Sequence, residues 1–377
     1  MNIDLATGLL DLGELRYIAA NVDVPSTKMV QADTILICTA SGSKKHLGKT
    51  AIIEEPMDFA FGGFMGLLVP TGEVLTRYLH LLMRSDAYWS FIDQLSSGTN
   101  INNLKFSELG KFKVPLPPLE EQHRIVALLD EVFEGLSRAR ANAEANLADA
   151  KELFDRTLLA IIVGNGGSLS STQSEGWPEK DLASLVTFHN GDRGKNYPNK
   201  HEYVTVGIPW INTGHILPNG TLSLTDMNYI SEEKFRTLSG GRIRPGDLVF
   251  CLRGATIGKT ALVAPYNTGA VASSLMILRP SELILDRFAY YFLTSELGRA
   301  QIKAFIGGAA QPNLAGESVG KFRLRLPPKE VQKKIVESLD RLMHDRDILE
   351  RKYQERMDEI DGLRQSLLQK ALAGELT

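Results

Sequence analysis

Cysteine is nearly missing from this chain: Cys38 and Cys251 are the two among 377 residues. So few thiols exclude a disulfide scaffold and fit a reducing compartment, so the expected location is the cytoplasm. Each follows a short apolar run, ILIC or LVFC, and reads as a buried strand thiol. No Cys, His, Asp and Glu cluster at metal-ligand spacing accompanies them, so no metal is expected. No uncharged apolar stretch reaches the ~18 residues a membrane span requires. The N-terminus, MNIDLATGLLDLGELRY, has no basic run ahead of an apolar one and does not read as a signal peptide. Net charge is only −3, so whole-chain charge names no partner. Apolar residues are not scarce; at 43% they suffice for ordinary cores, and the length allows two or three domains.

Catalytic motifs are missing too. Gly-Lys-Thr stands at residues 48–50 and again at 258–260. A phosphate-binding loop needs G-x-x-x-x-G-K-[ST], so that backbone amides cradle the phosphates. Gly42 to Gly48 leaves five residues between and Gly254 to Gly258 leaves three, so neither fits. Both lie between strand-like runs, as a hairpin turn would. There is no N-P-P-aromatic motif and no Gly-rich cofactor loop after a strand. The seven histidines are scattered, and no Ser/His/Asp or Cys/His set has local support.

What is present is a repeat. LPPLEEQHRIVALLD begins at Leu116 and LPPKEVQKKIVESLD at Leu326, an offset of 210 residues. At that offset Gly48-Lys49-Thr50-Ala51 meets Gly258-Lys259-Thr260-Ala261, Arg77 meets Arg287, and Gly110-Lys111-Phe112 meets Gly320-Lys321-Phe322. Upstream, ADTILIC parallels GDLVFC, and NIDLATGLLDLGELRYIA parallels NTGHILPNGTLSLTDMNYIS with small insertions. A period this long is a duplicated domain-plus-helix unit, not a solenoid repeat. The first copy lacks a counterpart of WPEKDLASLVTFHNGDRGKNYPNKHEYVTVGIPWI. Its head is therefore expected to be incomplete: the chain starts further upstream, was truncated, or another chain fills the gap.

The predicted divisions are a first head at residues 1–118, a long helix at 119–164, a linker at 165–176, a second head at 177–328 and a second long helix at 329–377. The heads read as strands broken by Gly, Pro, Asn and Asp. Each then carries one amphipathic helix (LTRYLHLLMRSDAYWSFIDQL or LDRFAYYFLTSELGRAQIKAF), a polar loop, and a last strand (KFKVPL or KFRLRL). Pro117-Pro118 and Pro327-Pro328 suit a helix start, and Glu120, Glu121 and Glu330 sit near the positive end of the macrodipole.

Along the helices an a/d seam is expected. It uses Ile125, Leu129, Val132, Leu136 and Leu153 in the first, with Ala139, Ala143 and Ala150. It uses Ile335, Leu339, Leu342, Leu349, Tyr353, Ile360, Leu363 and Leu367 in the second, interrupted by Arg346 and Arg356. A helix of ~44 residues is ~66 Å long, too long to bury its seam on one head. The two can pair antiparallel with each other; the alternative is that each pairs with another protein.

Positive charge concentrates in residues 177–328, with 17 Lys+Arg against 12 Asp+Glu. Loop residues there suit phosphate and base contacts: Arg193, Lys195, Asn212, Thr213, Arg253, Thr256, Lys259, Gln311 and Asn313, with Arg242 and Arg244 nearby. Lys44 and Lys45 occupy a four-residue insertion in the first copy. Any single one of these also fits an ordinary solvated surface.

The duplicated PLPPLEEQHRIV and RLPPKEVQKKIV, with GDLVFCLRGATIGKTALV and IGGAAQPNL, resemble the specificity subunits of type I restriction–modification systems across nearly the whole chain. The resemblance implies an α+β fold: two globular α/β target-recognition domains separated by two long antiparallel coiled-coil helices. It implies a non-catalytic DNA specificity subunit that reads a bipartite double-stranded target. Its helices would dock two methyltransferase (modification) subunits, and the complex would recruit a restriction motor-nuclease subunit. No cofactor is expected on this chain; S-adenosylmethionine, ATP and magnesium belong to the partners, and no membrane is involved. The short first head puts its half-site in question. The rival readings are a protein–protein scaffold with DNA-silent heads, an inactive or decoy truncated specificity subunit, and an enzyme with an unrecognised site.

Overall fold

The computed structural model describes the chain apart from residues 1, 2, 5, 6, 14, 20, 98–102, 164–175, 307–312, 376 and 377. The expected linker therefore falls, except for Gly176, outside the described residues. The chain divides into unit 1, Met1–Ala145 with Lys352–Thr377, and unit 2, Asn146–Arg351.

Unit 1 begins with an isolated bridge between Ile3 and Leu10. Strands β1 (Thr34–Cys38), β2 (Thr50–Ile53) and β3 (Met65–Leu68) follow, in the antiparallel order β2-β1-β3. The Gly-Lys-Thr turn is the β1–β2 hairpin, closed by the Gly48 N–H donating to the Cys38 carbonyl at 2.9 Å. Gly48 has φ +78°, and an added Cβ would lie 3.0 Å from Ile92, so glycine serves both the left-handed turn and close packing. Two helices come next, α1 (Thr76–Leu82) and α2 (Asp86–Ser97), then the short α3 (Phe106–Leu109) and the 45-residue α4 (Leu119–Val163).

Among the described residues, unit 2 has three sheets. The antiparallel order β10-β9-β12-β5 uses β5 (Val186–Asn190), β9 (Leu248–Cys251), β10 (Thr260–Leu262) and β12 (Leu275–Pro280). The order β11-β7-β8-β6 uses β6 (Tyr203–Val204), β7 (Ile208–Ile211), β8 (Asn228–Ile230) and β11 (Ala270–Val271), with β11 parallel to β7. The third sheet pairs β4 (Glu179–Asp181) with β13 (Arg323–Arg325). The helices are α5 (Glu232–Thr237), α6 (Asp286–Thr294), α7 (Glu296–Ile306), α8 (Gly316–Gly320) and the 44-residue α9 (Lys329–Leu372). The repeat is visible in detail. An Ile216–Leu222 bridge matches Ile3–Leu10, and β10-β9-β12 matches β2-β1-β3. Gly258, at φ +85°, closes the second hairpin with the same 2.9 Å bond, to the Cys251 carbonyl.

Two local expectations change. The single amphipathic helix expected in each head is broken into two. Ser85 and Ser295 cause the break: each hydroxyl donates back to a carbonyl (Leu82 or Phe292, 2.7 Å) and accepts the N–H three residues on, at 3.3 Å. Such local bonding stops one helix and caps the next. The last strand forms in unit 2 but not at KFKVPL in unit 1. β13 exists by pairing with Glu179–Asp181, and unit 1 holds no counterpart of that segment among the described residues.

The doubled Leu-Pro-Pro…Gln motif has one physical explanation. Gln122 is fully buried; its Oε1 accepts the Leu75 N–H at 2.9 Å, and its Nε2 donates to the carbonyls of Glu73 (2.9 Å) and Pro117 (2.8 Å). Gln332 repeats this with Leu285, Leu283 and Pro327, each bond at 2.9 Å. A single amide thus ties the start of the long helix to the start of α1 or α6, satisfying backbone groups that helix ends leave open. Arg77–Asp130 at 2.8 Å and Arg287–Asp340 at 2.6 Å add an equivalent ion pair about two turns further along each long helix.

Candidate nucleic-acid interface

In unit 2 the segment 271–275 gathers loops from distant parts of the sequence. The Asp192 N–H donates to the Val271 carbonyl, Ala272 N–H to Ile211, and Leu252 N–H to Ser274, at 3.0, 2.8 and 3.0 Å. Leu314 N–H in turn donates to Leu252 at 2.9 Å. Arg193, Asn212, Arg253 and Asn313 each stand one residue from such an anchor, so four residues chosen for base or phosphate contact are brought to one end of the sheet. Arg253 and Asn313 also form a direct bridge. Arg193 and Lys195 are exposed, and the Arg193 guanidinium reaches the Ser273 carbonyl at 3.4 Å. Arg253, Thr256 and Lys259 share the β9–β10 hairpin tip; Arg253 and Lys259 are exposed, while Thr256 is half-buried with its hydroxyl 3.5 Å from the Cys251 thiol.

Asn212 and Thr213 open a short turn and are half-buried. The Asn212 side-chain Oδ1 accepts the Gly214 N–H at 2.9 Å, so part of its bonding capacity is used locally. Gln311 lies outside the described residues. In unit 1, Lys44 and Lys45 are exposed on a one-turn helix, Lys44–His46.

Sequence reasoning did not find what holds these loops. Asp192 is 1% exposed, and its carboxylate accepts from the N–H groups of Gly194 (2.9 Å), Ser239 (2.6 Å) and Gly240 (3.0 Å) and from the Ser239 hydroxyl (2.8 Å). Burial alone would raise its pKa; the four donors outweigh burial and hold it below the usual carboxylate range. The signal was the Asx-turn pattern Asp-Arg-Gly. Arg242 is exposed but locally committed, donating to the carbonyls of Phe235, Arg236 and Leu238 and lying 5.3 Å over the Phe235 ring. At the end of the β9–β12 pair away from these loops, Arg279 pairs with buried Asp247 at 2.7 Å.

The long helices pack within each unit, and in each they run antiparallel. In unit 1, Ile125, Leu129 and Phe133 of α4 join Leu368 and Ala371 of α9, with Leu136 and Leu367 alongside. Arg364 stacks 4.6 Å over Phe133, and Arg140 pairs with Asp361. In unit 2, Phe154 and Leu158 of α4 share a core with Ile335 and Leu339 of α9, with Leu342 packed against it, and Arg346 stacks 4.7 Å over Phe154. Val132 and Tyr353 are half-buried and Ile360 is buried, whereas Leu153, Leu349 and Leu363 are exposed. Phe154, Met357 and Leu368 are buried where a strict heptad would not put them. Ala143 to Phe154 and Met357 to Leu368 are both eleven-residue steps. An α-helix drifts ~20° per heptad from a 3.5-residue repeat, and an eleven-residue step absorbs that drift. Arg346, read as an interruption, covers an aromatic face instead. No helix among the described residues is long and apolar enough to cross a membrane.

Two α+β heads, each closed by a Pro-Pro-Gln bracket onto a long helix, with basic loops gathered at one sheet end, define a tandem recognition protein. The family model described as type I restriction modification DNA specificity domain matches residues 21–146 and 174–356. The chain belongs to that family, and with two matched copies it is a type I restriction–modification DNA specificity subunit. It is similar to the EcoKI specificity subunit of Escherichia coli (strain K12), at 24% identity over 99% of this chain and 81% of the relative. It is also similar to the StySPI specificity subunit of Salmonella potsdam, at 25% identity over 99% and 81%. Among solved structures, a chain from a study of assembly and conformational transition of a type I R-M system matches with a TM-score of 0.79 and 21% identity. That match covers 100% of this chain and 90% of the other. The HsdS subunit of Thermoanaerobacter tengcongensis matches at 0.56 and 21%, over 100% and 89%. These likenesses carry the fold.

Proposed function

We propose that the chain is the non-catalytic reader of a bipartite double-stranded DNA target, working in the cytoplasm. Each head reads one half-site. The long helices space the heads and dock two methyltransferase subunits, and the assembly engages a restriction motor-nuclease. S-adenosylmethionine, ATP and magnesium act on those partners; no residue of this chain is assigned to them.

The observation that carries this reading is the convergence of Arg193, Asn212 and Arg253 on segment 271–275, with Asn313 joined to them through Leu252. Their loops come from four parts of the chain and meet at one end of the sheet. Helices of 45 and 44 residues, each ~67 Å at ~1.5 Å per residue, suit a spacer. The test is DNA binding by the chain assembled with its methyltransferase. Arg253→Ala should cost ~1–3 kcal/mol on the cognate target and relax discrimination at one half-site only. Equal affinity of the wild-type complex for all sequences would favour the scaffold reading instead.

A further inference from the structure

In unit 1, Gly8, Thr50, Arg84, Trp89 and Gln365 enclose a small cavity of about 60 Å³. At the repeat offset the last four of these correspond to Thr260, Thr294, Arg299 and Asp155 of unit 2. All four line a cleft of about 480 Å³. The same place in the duplicated fold is therefore open in one unit and nearly filled in the other. The lining differs in bulk: Arg84 and Trp89 stand in unit 1 where unit 2 has Thr294 and Arg299.

The open cleft has an apolar floor and a basic rim. Phe154 and Leu158 of α4, Met343 of α9 and Ile302 of α7 form much of the floor. Arg299 is committed within the wall, donating to the Thr294 carbonyl at 2.7 Å and to Asp155 at 3.1 Å. Lys259 and Lys303 at the rim are exposed, and neither has an ion pair among the described residues. A phosphate backbone would meet the lysines but leave the apolar floor wet. A small ligand would fit the volume, but the floor is built from both long helices, the elements proposed above to receive a partner.

We propose that this cleft receives an apolar side chain carried on an acidic segment of the methyltransferase subunit, and that unit 1's copy is closed to the same anchor. The partner's identity rests on the proposed function. Interface energy concentrates in such pockets, where one buried anchor is ringed by contacts that exclude water. The two heads then engage partner subunits through unequal contacts, although their folds are related by duplication.

The experiment titrates purified methyltransferase subunit onto the full-length chain without DNA, with thermal unfolding as a check on folding. The double variant Thr294→Arg/Arg299→Trp transfers unit 1's plug into unit 2 and should weaken assembly at least ~tenfold, as loss of a hot-spot anchor does. Lys303→Glu, a surface change that leaves the floor intact, should weaken it in a salt-dependent way. The reverse pair, Arg84→Thr/Trp89→Arg in unit 1, should not weaken it. Wild-type affinity in both unit 2 variants overturns the inference and leaves the proposed function standing; absence of assembly by the wild-type chain overturns both. Capture of the apolar anion anilinonaphthalene sulfonate by the wild type alone, with assembly unchanged in the variants, would reassign the cleft to a small ligand.

Discussion

β3 of unit 1 and β12 of unit 2 occupy the same place in the repeat, yet β12 is buried through its first four residues while β3 is mostly half-buried. The difference is β5, which pairs along the outer edge of β12 from Met276 to Pro280 and has no equivalent beside β3 among the described residues. Val69 consequently lies 65% exposed where Arg279 pairs with Asp247 in unit 2. Unit 1 nonetheless keeps the hairpin, the serine break between its helices and the glutamine bracket. The elements that attach a head to its helix are thus separable from those that complete the head's outer sheet and its loops.

The bracket is the strongest test of that equivalence. Gln332→Leu would strand one N–H and two carbonyls, at ~1–3 kcal/mol for each buried unpaired group, so a loss of at least ~3 kcal/mol is expected in urea unfolding. Gln122→Leu should do the same in unit 1. A loss in one unit alone, followed by hydrogen exchange, would break the comparison.

Asp247→Ala should cost about 3 kcal/mol by leaving Arg279 unpaired over a buried site. The effect belongs to unit 2, because Thr34 and Val69 hold the corresponding positions in unit 1. Exchange slowing or speeding equally in both units would contradict this.

Acid should separate the units next. His80 is 1% exposed, and burial, with Arg84 and Arg77 nearby, holds its pKa down from 6.5 to about 3. The unfolded chain takes up the proton first as pH falls. Stability from the neutral ring is therefore complete above 6.5 and declines toward about 3, by at most ~1.4 kcal/mol per pH unit. Tyr290 holds this position in unit 2, which should lack this sensitivity. His80→Tyr should flatten the acid limb of unit 1 in pH-dependent unfolding.

Smallest are the two stacked arginines. Arg364→Met and Arg346→Met should each cost ~0.5–1 kcal/mol, one in each unit, because the aliphatic chain still covers the ring while the cation is lost. A larger effect at Arg346 would show that its ion pairs with Asp347 and Glu350 matter beyond the stacking.

Much of the fold was legible because it was written twice. The repeat, the two long helices, the hairpin glycines and the basic bias of residues 177–328 could be read from spacing and composition alone. The bracket glutamines were visible as repeated letters, but their work was not, since all three bonds reach backbone groups that carry no residue signature. Asp192 was missed for a similar reason: an Asx turn shows only the Gly194 contact, while Ser239 and Gly240 lie far along the chain.

Local order is set by short-range rules, and sequence alone determined it here: where helices start, where a hairpin must have glycine, which segments duplicate. Three features waited on tertiary structure: the drift of the buried helix face toward Phe154 and Leu368, the gathering of loops on segment 271–275, and the opening of one cleft and filling of the other. Each depends on side-chain volume and backbone pairing between distant segments, and no periodicity in one dimension records those quantities.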